Sequence, residues 1–134
     1  MNSAQSLTFE FRPTDNSPTF QRTVTLNFNR TFSIGDLPQK NYTVWIKGAK
    51  WLARTIAVDV TNQDITNVNV TLRAGDANND NSIDVLDLDI LLQTFDRCLG
   101  DAGYRDESDF NMDECVDVFD LDQLLRNFDR QGEP

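Results

Sequence analysis

Residues 75–97 read GDANNDNSIDVLDLDILLQTFDR, and residues 108–130 read SDFNMDECVDVFDLDQLLRNFDR. Slid by 33 places, 13 of 23 positions are identical, so this part of the chain is a duplication. Each copy opens with acids at alternating positions and closes with a helical pattern. Leu88, Leu91, Leu92 and Phe95 recur at i, i+3, i+4 and i+7, as do Leu121, Leu124, Leu125 and Phe128. Helices this short are marginal alone, so the two stripes are expected to pack on each other as a shared core.

The acids carry the chemistry. A 12-residue loop presents oxygens to a hard cation from positions 1, 3, 5, 7, 9 and 12, the seventh through its backbone carbonyl. In the first copy these are Asp76, Asn78, Asp80, Ser82, Asp84 and Asp87; in the second, Asp109, Asn111, Asp113, Cys115, Asp117 and Asp120. The spacing predicts two Ca²⁺ sites. Ile83 and Val116 at position 8 supply the apolar pin between loops. Position 6 needs a positive φ; Asn81 tolerates it, whereas Glu114 opposes it, which predicts a weaker second site. Position 12 is Asp in both copies, one methylene shorter than the usual Glu. Without metal these carboxylates repel, so folding of this half is expected to depend on calcium.

Outward from the repeat, the charge divides. The chain has 134 residues and net charge −10, yet residues 1–73 carry eight Lys/Arg against five Asp/Glu, and residues 74–134 carry four against seventeen. That asymmetry predicts two small domains, 1–73 and 74–134. The acidic half disfavours nucleic acid and anionic membrane as partners. No apolar run approaches the roughly 18–20 residues of a membrane span, and no signal peptide is visible at Met1. The chain has no His, no nucleophile elbow and no phosphate loop. Its carboxylates are accounted for as ligands, so no enzyme is expected.

Residues 7–73 read as strands of an all-β sandwich. Leu7-Phe9-Phe11, Val24-Leu26-Phe28, Tyr42-Val44-Ile46, Ile56-Val58-Val60 and Val68-Val70-Leu72 each alternate with other residues. Turn signals lie between them. Trp45 and Trp51 raise carbohydrate binding as an alternative to packing; Lys47 and Lys50 read as surface charge or as a balance to the acidic half. Only Arg73-Ala74-Gly75 separate the last expected strand from Asp76, too short for a flexible tether, so the sandwich is expected to dock on the calcium half.

A strand rather than a helix leads into the first loop, and each loop is followed by one helix. That duplicated half-motif, with Asp at position 12 followed by Leu, resembles the dockerin family across residues 75–130. The resemblance implies an all-α calcium unit of two antiparallel loop-helix segments, non-catalytic and extracellular, that docks a parent protein onto a cohesin module. The stretch from Thr31 to Pro38 with Tyr42-Thr43-Val44 resembles carboxypeptidase-regulatory-like and transthyretin-like sandwiches, as in dockerins accompanied by an X-type module. The outer helix faces carry Leu86, Ile90, Gln93 and Arg97, and Phe119, Gln123, Arg126 and Arg130. Clustered outward apolar residues point to a protein partner or, alternatively, to the neighbouring domain. Val85-Leu86 and Val118-Phe119 stand where many cellulosomal dockerins include Ser or Thr, which implies a partner outside the best-known cohesin class. If the helices are antiparallel, Cys98 and Cys115 can approach, and an extracellular setting favours their disulfide; free thiols remain the alternative. Against docking stand an intracellular calcium sensor, which needs entering helices, and a calcium-stapled structural or carbohydrate-associated domain without cohesin binding.

Overall fold

Apolar residues at every second position make one face of a strand hydrophobic, and four segments here bury such a face together. They are β1 (Ser6–Pro13), β2 (Phe20–Thr25), β3 (Asn41–Gly48) and β4 (Trp51–Asp59). A computed structural model describes residues 5–26 and 30–134. Its sheet has the order β2-β1-β3-β4 with every pair antiparallel. Register sets Phe9 opposite Ile46 and Phe11 opposite Val44. Leu7, Phe9, Phe11, Tyr42, Val44 and Ile46 form the buried face, and the Phe11 ring lies 5.1 Å from Phe20 and 5.5 Å from Tyr42. Phe32, Ile34, Leu37, Val70 and Leu72 close over it from extended chain on either side of β3 and β4, completing the β-sandwich.

The fifth expected strand departs from its reading. Val70 and Leu72 do face the core, but residues 65–73 form no ladder; only Ala74 bridges to Trp51. The reason lies on the edge of β4. Its Ala53 N–H is taken by Asn81 Oδ1 at 2.8 Å, and its Thr55 N–H by the Glu133 carboxylate. Leu52, by contrast, donates to the Arg73 carbonyl at 2.8 Å. The second strand begins earlier than expected, at Phe20; Leu26 still packs on the core, and Phe28 lies outside the described residues.

In the second half, α1 (Val85–Thr94) and α2 (Val118–Arg126) follow the two loops, and a short ladder pairs β5 (Arg97–Cys98) with β6 (Cys115–Val116). Both helices start with a capping box, Asp84 with Asp87 and Asp117 with Asp120. The core beneath them holds Ile83, Leu91, Phe110, Val116 and Leu124 together with Leu52, and Trp51 packs on it from β4. Each fully buried Leu contributes about 2–3 kcal/mol by area.

Sharing this core with the sandwich corrects the helix stripes. Leu91 and Leu124 are buried and Leu88 and Leu121 pack beside them, but Leu92, Phe95, Leu125 and Phe128 are exposed. Ile90, expected outside, is partly buried against the core. The inward side of each helix is set by β4 as well as by the other helix, so it is turned from the face that a two-helix core alone would bury.

The C-terminal residues strap the first loop and then cross to β4. Ile83 donates to the Arg130 carbonyl at 2.8 Å, Gly132 to Asn81 O at 2.9 Å, and Glu133 to Ala53 O at 3.0 Å. A Cβ on Gly132 would lie 1.9 Å from Asn81 Oδ1 and 2.6 Å from Ala53 N, so this crossing admits only glycine. Among the described residues, no helix is long and apolar enough to cross a membrane.

Candidate metal centre

Each loop is wound around the carboxylate of its first residue. Asp76 Oδ1 accepts the Asp80 N–H at 3.0 Å and Oδ2 accepts that of Asn81 at 2.9 Å. Asp109 does the same with Asp113 at 3.2 Å and Glu114 at 2.8 Å. Ser82 and Cys115 each donate to the position-5 carboxylate at 3.0 Å. Such side-chain acceptors replace the backbone partners that a tight loop lacks. Positive φ falls at positions 4 and 6 of both loops: Asn79 (61°) and Asn81 (66°), Met112 (59°) and Glu114 (71°).

The last acid of each loop ties it to the helix. Asp87 accepts the N–H groups of Asn78 at 3.0 Å and Asp84 at 2.8 Å. Asp120 accepts those of Phe110 at 2.7 Å, Asn111 at 3.2 Å and Asp117 at 2.9 Å. The shorter Asp at position 12 thus closes the loop and caps the helix with one carboxylate.

These contacts gather Asp76, Asp80 and Asp87 into one cluster and Asp109, Asp113 and Asp120 into another. Within each, one carboxylate oxygen per residue lies within 4.8 Å of the others, close enough to hold a metal ion. Asp76, Asp87, Asp109 and Asp120 are buried, whereas Asp80 and Asp113 reach solvent. Asn78 and Asp84, and Asn111 and Asp117, stand beside the clusters in the same loops. Like charges about 4 Å apart repel by about 4 kcal/mol at an effective dielectric of 20, so such clusters call for a cation. An all-oxygen donor set suits a hard one.

Burial raises the carboxyls of Asp87 and Asp109 above the ordinary range, and pushes that of Asp120 up to about 6. Loop N–H groups pull each of them the other way. Tyr104 donates to Asp109 Oδ2 at 3.0 Å, and its own hydroxyl is shifted upward by burial and by that bond.

Two residues read as surface charge or as a balance to the acidic half belong to these centres, in keeping with the second of those readings. Near the end of β3, Lys47 reaches the first loop, with Nζ 2.9 Å from Asp76 Oδ2 and 2.7 Å from Asn79 Oδ1. The turn that follows sends Lys50, only 2% exposed, to the second, bonded to the Asp109 carbonyl at 3.1 Å and to Asp106 at 3.0 Å. Tyr104 was likewise missed. The one legible signal was two lysines three residues apart at the end of a strand of the basic half.

The outer helix faces divide. Val85, Leu86, Val118 and Phe119 are exposed, Leu86 at 57% and Phe119 at 65%. Gln93, Arg97, Arg126 and Arg130 are exposed and Gln123 is half-buried. Ile90 leaves that surface for the core, while Leu92, Phe95, Leu125 and Phe128 join the exposed apolar residues. Cys98 and Cys115 are joined in a disulfide. Neither Trp offers a bare stacking platform: Trp45 Nε1 donates to the Glu133 carbonyl at 2.9 Å with the Arg12 guanidinium 6.0 Å from its ring, and Trp51 packs against both cores.

No family model matches the chain, and no curated protein does. Solved structures do. One is a chain from a type II cohesin–X-dockerin complex of Acetivibrio cellulolyticus, an N-terminal interface mutant. It is 25% identical with a TM-score of 0.75, over 96% of this chain and 83% of that one. Another comes from a C-terminal interface mutant of such a complex from the same organism, 24% identical with a TM-score of 0.74, over 92% and 82%. The β-sandwich followed by a two-helix domain with duplicated acidic clusters is therefore the architecture found in X-module–dockerin complexes.

Proposed function

We propose that this chain is a non-catalytic, calcium-dependent docking module that holds an extracellular parent protein on a cohesin-type partner. The observation that carries this reading is the pairing of two equivalent acidic clusters with two equivalent exposed apolar helix ends, on the fold of X-dockerin complexes. Residues 1–73 form the stabilising sandwich and residues 74–134 the docking domain. Two Ca²⁺ ions are held by Asp76, Asn78, Asp80, Ser82, Asp84 and Asp87 and by Asp109, Asn111, Asp113, Cys115, Asp117 and Asp120. The ions neutralise the clustered carboxylates and fix the loops that cap both helices. The partner then meets Val85, Leu86, Val118 and Phe119, with Gln93, Arg97, Gln123, Arg126 and Arg130 at the rim. A disulfide suits an oxidising, extracellular setting.

The test is calorimetric titration against a panel of cohesin modules, type II among them, with calcium and with chelator. Binding to one or more cohesins that disappears with chelator supports the reading. Binding to none of them in calcium contradicts it.

Acid should oppose calcium. The Asp120 carboxyl stands at about 6 in the metal-free fold against an ordinary 3.8. Between those values the fold holds a proton that the unfolded chain has lost, so metal-free stability falls as pH rises through this window. Calcium must expel that proton to bind. Affinity is therefore expected to weaken as pH is lowered from 7 to 5, with proton release measurable by calorimetry in buffers of different ionisation enthalpy. Equal affinity and no proton release at pH 5.5 would show that the metal-free chain does not hold Asp120 in this buried setting.

A further inference from the structure

The two oxygens of each loop's first carboxylate keep different company. Asp76 Oδ1 takes the Asp80 N–H, whereas Oδ2 takes two donors, the Asn81 N–H at 2.9 Å and the Lys47 ammonium at 2.9 Å. Asp109 repeats the arrangement 33 residues on. Its Oδ1 takes the Asp113 N–H, and its Oδ2 takes the Glu114 N–H at 2.8 Å and the Tyr104 hydroxyl at 3.0 Å. A carboxylate oxygen offers about two lone pairs. Each Oδ2 therefore has both engaged, and each Oδ1 keeps one to give. One donor on Oδ2 comes from the loop itself; the other, in both copies, is brought in from outside it.

The outside donors are firmly placed. Ile46 is buried in the sandwich core, so strand alternation turns Lys47 to the opposite side of the sheet. The Lys47 side chain is only 11% exposed, and its three N–H donors have three acceptors: Asp76 Oδ2, Asn79 Oδ1 at 2.7 Å and the Gly48 carbonyl at 2.6 Å. Tyr104 packs on the core beneath the helices with its hydroxyl on the buried Asp109. Lys50 does not duplicate this contact, because it ends on the Asp109 backbone carbonyl and on Asp106. We infer that Lys47 and Tyr104 are the positioning residues of the first and second calcium sites. Each fixes the outer oxygen of a position-1 carboxylate so that Oδ1 alone meets the ion. The first site is thereby completed by a residue of the sandwich. This inference rests on the calcium reading above. The ammonium is not a rival for the ion's place: Asp76, Asp80, Asp84 and Asp87 bring four negative charges against the two of calcium, so the loaded loop still attracts Lys47.

The amides of Asn81 and Glu114, each donating to the first carboxylate of its loop, report the two sites separately by NMR. The full-length oxidised chain and its Lys47→Met and Tyr104→Phe variants are titrated with calcium chloride. In Lys47→Met the Asn81 midpoint is expected to rise about ten-fold and the Glu114 midpoint to change less than about two-fold. Tyr104→Phe should do the reverse, since each variant loses one bond to a charged acceptor at one site. Unchanged midpoints, or an equal rise at both amides, overturn the inference and leave the calcium reading intact. So does a lower Asn81 midpoint in Lys47→Met, which would make the ammonium a competitor of the ion. Should a variant fail to fold in saturating calcium, the loaded wild type is read directly. Its Lys47 ammonium and Tyr104 hydroxyl protons should exchange slowly with water, because both are bonded to buried carboxylates. Exchange as fast as that of an exposed lysine and tyrosine overturns the inference. A wild type that binds no calcium at either amide sinks the calcium reading itself, and this inference with it.

Discussion

Asp76→Ala combined with Asp109→Ala should leave residues 74–134 largely unfolded even in millimolar calcium, while the sheet of the first half persists. Each substitution removes a proposed ligand and the acceptor of two loop N–H groups; Asp109 also loses its bond from Tyr104. Both carboxylates are buried, so the orphaned N–H groups find little water. A ligand at a thousand times its dissociation constant stabilises by about 4 kcal/mol, so losing two ions removes about 8 kcal/mol. Whole domains are stable by only about 5–15 kcal/mol, and this one is small. Circular dichroism should show the helical signal lost. A native-like helical spectrum in the double variant would contradict metal-dependent folding.

Leu86→Asp combined with Phe119→Asp should weaken binding to the cohesin partner by more than about 100-fold, because buried interface anchors are each worth about 2 kcal/mol or more. The fold itself should be almost untouched. Both side chains are largely exposed, and each sits in the first turn of its helix, where a negative charge is favoured by the helix dipole. Surface changes of this kind shift stability by about 0.5 kcal/mol or less. Surface plasmon resonance on a cohesin that binds the wild type, with thermal unfolding in calcium alongside, separates the two effects. Full affinity in a folded variant would show that these helix ends are not where the partner sits.

What could be read in the sequence was local. Alternation placed β1, β3 and the second half of β4, and the 33-residue offset placed both loops, because strand pleat and loop ligation are set by neighbours within a dozen residues. What could not be read depends on the third body in each contact. Ile90 rather than Leu92 joins a core that also takes in Leu52 and Trp51, which lie about 40 residues earlier and on a strand. Val68 to Leu72 alternates correctly yet forms no ladder, since Asn81 and Glu133 take the donors of Ala53 and Thr55. The spacing of Lys47 and Lys50 hints at a charge balance with the acidic half, but not that one ammonium reaches each loop. Gly132 and Glu133 carry no sequence signal of a role, which appears only once Asn81 is beside them.

The central claim is that two metal ions order the second half of this chain. Its most direct test is calorimetric titration of the metal-free, oxidised protein with calcium, followed in parallel by circular dichroism. The account predicts two ions taken up per chain, a gain of helical signal that saturates with them, and reversal on adding chelator. Saturating calcium that gives no heat and leaves an already helical spectrum unchanged would contradict it.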